Sequence, residues 1–128
     1  MKRIPFVPFP LDVTKKIMTP TEKMSNVAIR LAPVADGWLG VGEGIETCLA
    51  ASQIFKLPVW SCCTGWLLST FRPPPEVKLL CIFGDNDRSF TGQSCAYDLA
   101  RAVANAGIEV KVMIPKVEGH DWADECAS

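Results

Sequence analysis

The chain has 128 residues, 48% of them hydrophobic, and a formal net charge of −1. A length like this is expected to form one ordinary domain around a buried core, without room for a second catalytic domain. The near-neutral charge excludes a protein that grips DNA by bulk positive charge alone, so any nucleic-acid contact must be local or metal-mediated.

Residues 1–28 mix prolines, lysines and short apolar pieces without periodicity, and read as an extended N-terminal arm ahead of a domain spanning 29–128. Over residues 1–30, Lys2, Arg3, Lys15, Lys16, Lys23 and Arg30 outnumber Asp12 and Glu22, which leaves the remainder net acidic. A solvated terminus is the plain reading of the arm, and phosphate contact the functional one. Pro5, Pro8 and Pro10 break its apolar stretch, so neither a signal peptide nor a membrane span is expected and the default location is the cytoplasm.

Trp38-Leu39-Gly40-Val41 reads as a short strand ending at the turn Gly42-Glu43-Gly44. A helix follows, with Ile45, Cys48, Leu49, Ser52 and Phe55 at helical spacing and Pro58 as its stop. Val59 to Cys62 is the next strand, and Gly65 to Phe71 a short helix before Pro73-Pro74-Pro75. Lys78 to Phe83 is a continuous apolar run, the pattern of a strand covered on both faces, and it stops at Gly84-Asp85-Asn86-Asp87. A longer helix is predicted from Thr91 to Gly107, with Cys95, Leu99, Ala102, Val103 and Ala106 on its apolar face. Glu109 to Ile114 alternates partly polar and apolar residues, as a strand near the sheet edge does, and Pro115 ends it. The β-α-β order calls for parallel strands joined by crossovers.

The six cysteines show no CxxC pair and no zinc spacing, and are expected to be reduced core residues. Three acidic motifs stand out: Glu43, Asp85 with Asp87, and Asp121 with Asp124. Each follows a different predicted strand, so an open parallel sheet would bring all three to one edge, where α/β folds place ligands. Taken singly, each is explained as an ordinary polar turn. Together they need a cause, because two unit charges about 4 Å apart repel by roughly 4 kcal/mol at an effective dielectric near 20, and a whole domain is stable by about 5–15 kcal/mol.

Magnesium is the expected cause, since it takes carboxylate and water oxygens and keeps waters for substrate phosphates. Gly42 and Gly44 are expected to allow close backbone approach at a helix N-terminus, where amides favour phosphate. A calcium loop fails because Phe90 and Ala96 occupy the positions of its glycine and closing glutamate. His120 gets no assigned part, Tyr97 lies within a predicted helix and is a poor covalent nucleophile, and no P-loop is present.

With these residues in view, the chain resembles the Toprim family, the catalytic domain of bacterial-type primases, topoisomerases and certain nucleases, and within it the primase-like proteins of phages and plasmids. Ala28-Ile29-Arg30-Leu31 leading into Val41 to Thr47 is similar to that subfamily's first motif, Asp85-Asn86-Asp87 to its DxD, and His120 to Asp124 to its closing acidic motif. The resemblance implies an α/β Toprim (Rossmann-like) fold with a central, mostly parallel four-stranded sheet and helices on both faces. It implies Glu43 as general base or acid and metal ligand, Asp85 and Asp87 as magnesium ligands, and Asp121 and Asp124 as support for a second metal or, through water, the first. Manganese is an expected substitute for magnesium.

DNA, RNA or nucleotides are the implied partners, together with zinc-binding and helicase components supplied in trans, because a working primase of this kind has further modules not seen here. Two alternatives stay open beside nucleotidyl transfer in mobile-element replication: a Toprim nuclease, and a non-catalytic module that binds nucleic acid or a replication partner. A receiver-like phosphoryl acceptor is a third, resting on Lys116 after the last strand.

Overall fold

The computed structural model describes residues 28–127, so nearly all of the expected N-terminal arm lies outside the described residues. Three short apolar runs and one alternating segment become strands: β1 Trp38–Gly42, β2 Val59–Ser61, β3 Leu79–Phe83 and the alternating β4 Glu109–Met113. All pair in parallel, in the order β2-β1-β3-β4. Parallel neighbours need crossover connections, and helices supply them: α1 Ile45–Phe55, α2 Gly65–Thr70 and α3 Thr91–Asn105, with α4 Trp122–Ala127 closing the chain.

Side chains alternate across a strand, and here the alternation sorts them into two apolar layers. On one face Leu39, Val41, Leu80 and Ile82 pack against Leu67 and Leu68 of α2 and Ala96, Leu99 and Val103 of α3. On the other, Val59 and Phe83 pack against Cys48 and Ala51 of α1, with Phe55, Met113 and Trp122 at the margin. The expected α/β Toprim arrangement, helices on both faces of a four-stranded sheet, is therefore present, and the sheet is wholly parallel. Each fully buried Leu or Ile contributes roughly 1.5–3 kcal/mol relative to exposure.

α1 approaches the sheet closely because β1 presents glycine to it. A Cβ on Gly42 would stand 2.8 Å from Cys48 Sγ. Gly42 is therefore the last ladder residue of β1, paired with Ser61 and Phe83, rather than part of the turn. α1 ends in a left-handed Lys56, whose amide donates to the Ser52 carbonyl.

Three sequence expectations are corrected, and one element was not foreseen. Ala28 to Leu31 does not run into β1: Ile29 exchanges hydrogen bonds of 2.7 and 3.1 Å with Ser61, antiparallel, on the outer edge of β2. The Trp60 indole holds the same segment by donating to the Ala32 carbonyl at 2.7 Å. α3 buries Gly92, Ala96, Leu99 and Val103, while Ala106 lies past its end and is exposed. The cysteines are free, but only Cys48 and Cys62 are fully buried and Cys126 is exposed. The acidic tail forms α4, a helix too short for periodicity to reveal.

β4 lies at the sheet edge, as its polar alternation suggested, with Glu109 and Lys111 exposed. The chain leaves β1 for β2 on one side and returns to β3 on the other. This reversal opens a crevice beyond the carboxyl ends of β1 and β3, the usual ligand position in such sheets.

Candidate metal centre

Glu43 is the first residue past β1. Its carbonyl accepts from Ser61 Oγ and from the Cys63 amide, each at 2.7 Å, which fixes its backbone against the end of β2. Its carboxylate receives the Gly65 amide at the start of α2. Burial pushes the Glu43 carboxyl above its ordinary value and the nearby Asp87 charge adds to this, while the Gly65 amide works against both.

Asp85 follows β3 by one glycine. Its carboxyl is pushed up to about 6, by burial first and then by the negative charges of Glu43, Asp121, Asp87 and Asp124. All five acids singled out in the sequence thus act on one point, although they lie far apart in the chain. Among the described residues no lysine or arginine pairs with Glu43, Asp85 or Asp87.

Asn86, the middle residue of the DxD, is the fastener that sequence reasoning missed. Its amide donates to the His120 carbonyl at 3.0 Å, its carbonyl accepts from Gly119 at 2.7 Å, and its side-chain amide donates to the Pro115 carbonyl at 2.8 Å. These bonds bring the loop after β4, and with it Asp121, to the end of β3. Gln93 of α3 holds Asn86 in turn, donating to its side-chain oxygen at 3.1 Å.

Asp87 is committed differently. One carboxylate oxygen accepts the Gly92 amide at 2.8 Å in the first turn of α3, where Phe90, the N-cap position, offers no side-chain acceptor. A Cβ on Gly92 would stand 2.7 Å from that oxygen and 2.9 Å from the Asp85 carbonyl, so this position must be glycine for the loop to close.

Asp121 and Asp124 cap α4 reciprocally, each accepting the other's amide at 2.9 Å, in the manner of a capping box. These bonds hold the exposed Asp124 carboxyl below its ordinary value. His120 Nδ1 lies 3.3 Å from Glu125 Oε1, and His120 is a lesser influence lowering Asp124. Tyr97 is exposed on α3, away from any strand end.

A cavity of about 510 Å³ opens over this cluster, lined by Glu43, Asp85, Asp121, the first turn of α1 from Gly44 to Thr47, and Cys63 with Thr64. Gly44 caps α1 without a side-chain bond, so the first amides of that helix remain for a ligand. Neither Gly42 nor Asp87 reaches the lining. Among the described residues no three acidic, imidazole or thiol side chains are gathered closely enough to cage one ion. The donors are oxygens, which fits a hard cation that keeps much of its water, as magnesium does.

The family profile of the Toprim domain matches residues 38–128, from the first residue of β1 to the end of the chain. The chain belongs to the Toprim family. Among solved structures, this Toprim domain resembles the crystal structure of a DNA primase domain from Pseudomonas aeruginosa, with a TM-score of 0.57 and 19% sequence identity. The likeness covers 83% of this chain and 35% of that one, so the Toprim domain here spans about a third of the primase domain's length. No curated protein matches the sequence.

Proposed function

We propose that this Toprim domain performs magnesium-dependent phosphoryl or nucleotidyl transfer on nucleic acid, as a primase-like catalytic unit in the replication of mobile DNA. The observation that carries this reading is the cavity at the switch point of a parallel sheet, lined by Glu43, Asp85 and Asp121 from three different strand ends, with no lysine or arginine among the described residues paired to Glu43, Asp85 or Asp87. Such charge crowding opposes folding unless it serves a ligand. The fold shared with a primase domain supports the choice of reaction. Zinc-binding and helicase components acting in trans belong to the same proposal.

When bound, magnesium supplies charge neutralisation at the transferring phosphate. Asp85 and Asp121, both lining the cavity, are the residues we assign to hold it, with Asp87 behind them through water and Asp124 keeping Asp121 in place. Glu43, whose carboxyl is raised by burial and met by the Gly65 amide, takes the proton from the attacking hydroxyl and returns it to the leaving group. The free amides at the start of α1 bind phosphate oxygens and set their orientation.

A two-dimensional NMR titration with magnesium and then trace manganese tests the centre. Manganese broadening confined to amides near Glu43, Asp85 to Asp87 and Asp121, and lost in Asp85→Ala, is the expected result. Diffuse broadening, or none, removes the catalytic reading. Template-dependent nucleotide incorporation in magnesium, falling roughly a hundredfold or more in Glu43→Gln, then separates synthesis from the nuclease alternative, which would give strand cleavage instead.

A further inference from the structure

A site crowded with carboxylates, in a protein of net charge −1, repels the phosphate backbone it is meant to receive. Contacts to the bases would add affinity that phosphate contacts at metal-free carboxylates do not supply. Two large exposed aromatic residues stand on the backbone segments that meet the carboxylate-bearing loops. Trp66 is 59% exposed and follows Gly65, the residue whose amide meets Glu43. Phe90 is 70% exposed, and its amide donates to the Asp87 carbonyl at 3.1 Å.

Neither exposure is explained by packing. α2 buries Leu67 and Leu68 against the sheet and turns Trp66 outward. Phe90 holds the N-cap position of α3 in the left-handed conformation, φ 63°, where a bulky side chain is unfavourable and glycine or asparagine is at ease. A strained backbone that displays an apolar ring to water beside a reaction centre points to a use for the ring. The two rings also stand on elements packed together: a Cβ on Gly65 would lie 2.9 Å from Cys95 Sγ of α3 and 3.9 Å from the Glu43 carboxylate.

We propose that Trp66 and Phe90 are stacking posts for unpaired bases, so that this domain takes single-stranded nucleic acid and holds it by its bases on either side of the carboxylates. The inference rests on the nucleic-acid reading above and names its substrate as single-stranded. Stacking suits this surface because every base offers a flat apolar face whatever its sequence, and because it needs no positive charge. A duplex, its bases already stacked on one another, has no face to offer and brings two repelled backbones.

The test is fluorescence anisotropy with a labelled twelve-nucleotide oligothymidylate and a blunt duplex of the same length, in EDTA and in magnesium. The expected result is preference for the single strand in both buffers, weakened about tenfold by Trp66→Ala and by Phe90→Ala, and retained in Trp66→Phe and Phe90→Tyr. Quenching of tryptophan emission by the oligonucleotide, lost in Trp66→Phe, gives a readout in a variant that keeps the ring and the fold. No binding by the wild type, equal affinity of the alanine variants, or equal affinity for duplex overturns the proposal. Should manganese fail to broaden the Asp85 region while stacking persists in EDTA, the catalytic reading falls and the binding surface stands.

Discussion

Asp85 concentrates the energetics of the site in one side chain. Its carboxyl is raised to about 6 in the folded protein, above the value of an unfolded chain, so the folded state holds the proton more tightly. The unfavourable contribution is fully present above about pH 6 and fades as pH falls toward about 4, where both states are protonated. Metal-free protein should accordingly gain thermal stability between pH 7 and pH 5, and Glu43, shifted in the same direction, adds to the gain. Asp124, held low, acts oppositely but only below the ordinary carboxylate range. Asp85→Asn should stabilise the metal-free protein at pH 7 by about 1 kcal/mol, a figure reduced for solvent screening of a half-buried group. Thermal scans in EDTA across this range check both statements, and a melting temperature that stays flat or falls on acidification would show that the carboxylates do not oppose one another. Magnesium at pH 7 should raise the melting temperature by mass action.

α3 shows how an element can be placed correctly while its face is misread. Its beginning at Thr91 was legible from the polar turn before it, and Gly107 from its place after the last apolar position. Its buried stripe was not, because Gly92 and Ala96 carry so little apolar surface that Cys95 and Ala106 looked the better candidates. α4 escaped for a related reason: a single turn and a half has no readable period, and its cap pairs Asp121 with Asp124 where the usual signature has glutamate or glutamine. The start of α3 yields opposing predictions. Gly92→Ala should cost about 1–3 kcal/mol, since its methyl group meets the Asp85 backbone as well as the Asp87 carboxylate. Phe90→Gly should gain about 1 kcal/mol by releasing the left-handed strain. Urea denaturation of the two variants decides, and a destabilised Phe90→Gly would mean that the ring packs in solution rather than standing free.

At the scale of the whole molecule, the strands were legible as apolar runs or, for β4, as an alternation, but their order was not. Nothing in Leu79 to Phe83 says that it pairs with Trp38 to Gly42 instead of with its predecessor β2; the crossover over β1 decides that. The convergence of the acids follows from that order, and so does the outward shift of Ala28 to Leu31 to the β2 edge. The last acids reach the cluster by two routes, the Asn86 bonds and the seat of Trp122. The Trp122 ring lies edge-on to Phe55 at 5.1 Å and to Phe83 at 6.0 Å, and its indole donates to the Met113 carbonyl at 3.2 Å. Trp122→Ala should therefore cost about 2 kcal/mol of stability and weaken magnesium binding although no ligand is touched; unchanged affinity by calorimetry would show that Asn86 alone seats the tail.

Aromatic rings held close in a fixed, asymmetric arrangement couple their electronic transitions. The Phe55, Phe83 and Trp122 trio should give this protein a strong near-ultraviolet circular dichroism band. That band is an intrinsic optical gauge, needing no label, of whether the C-terminal acids are seated over the sheet.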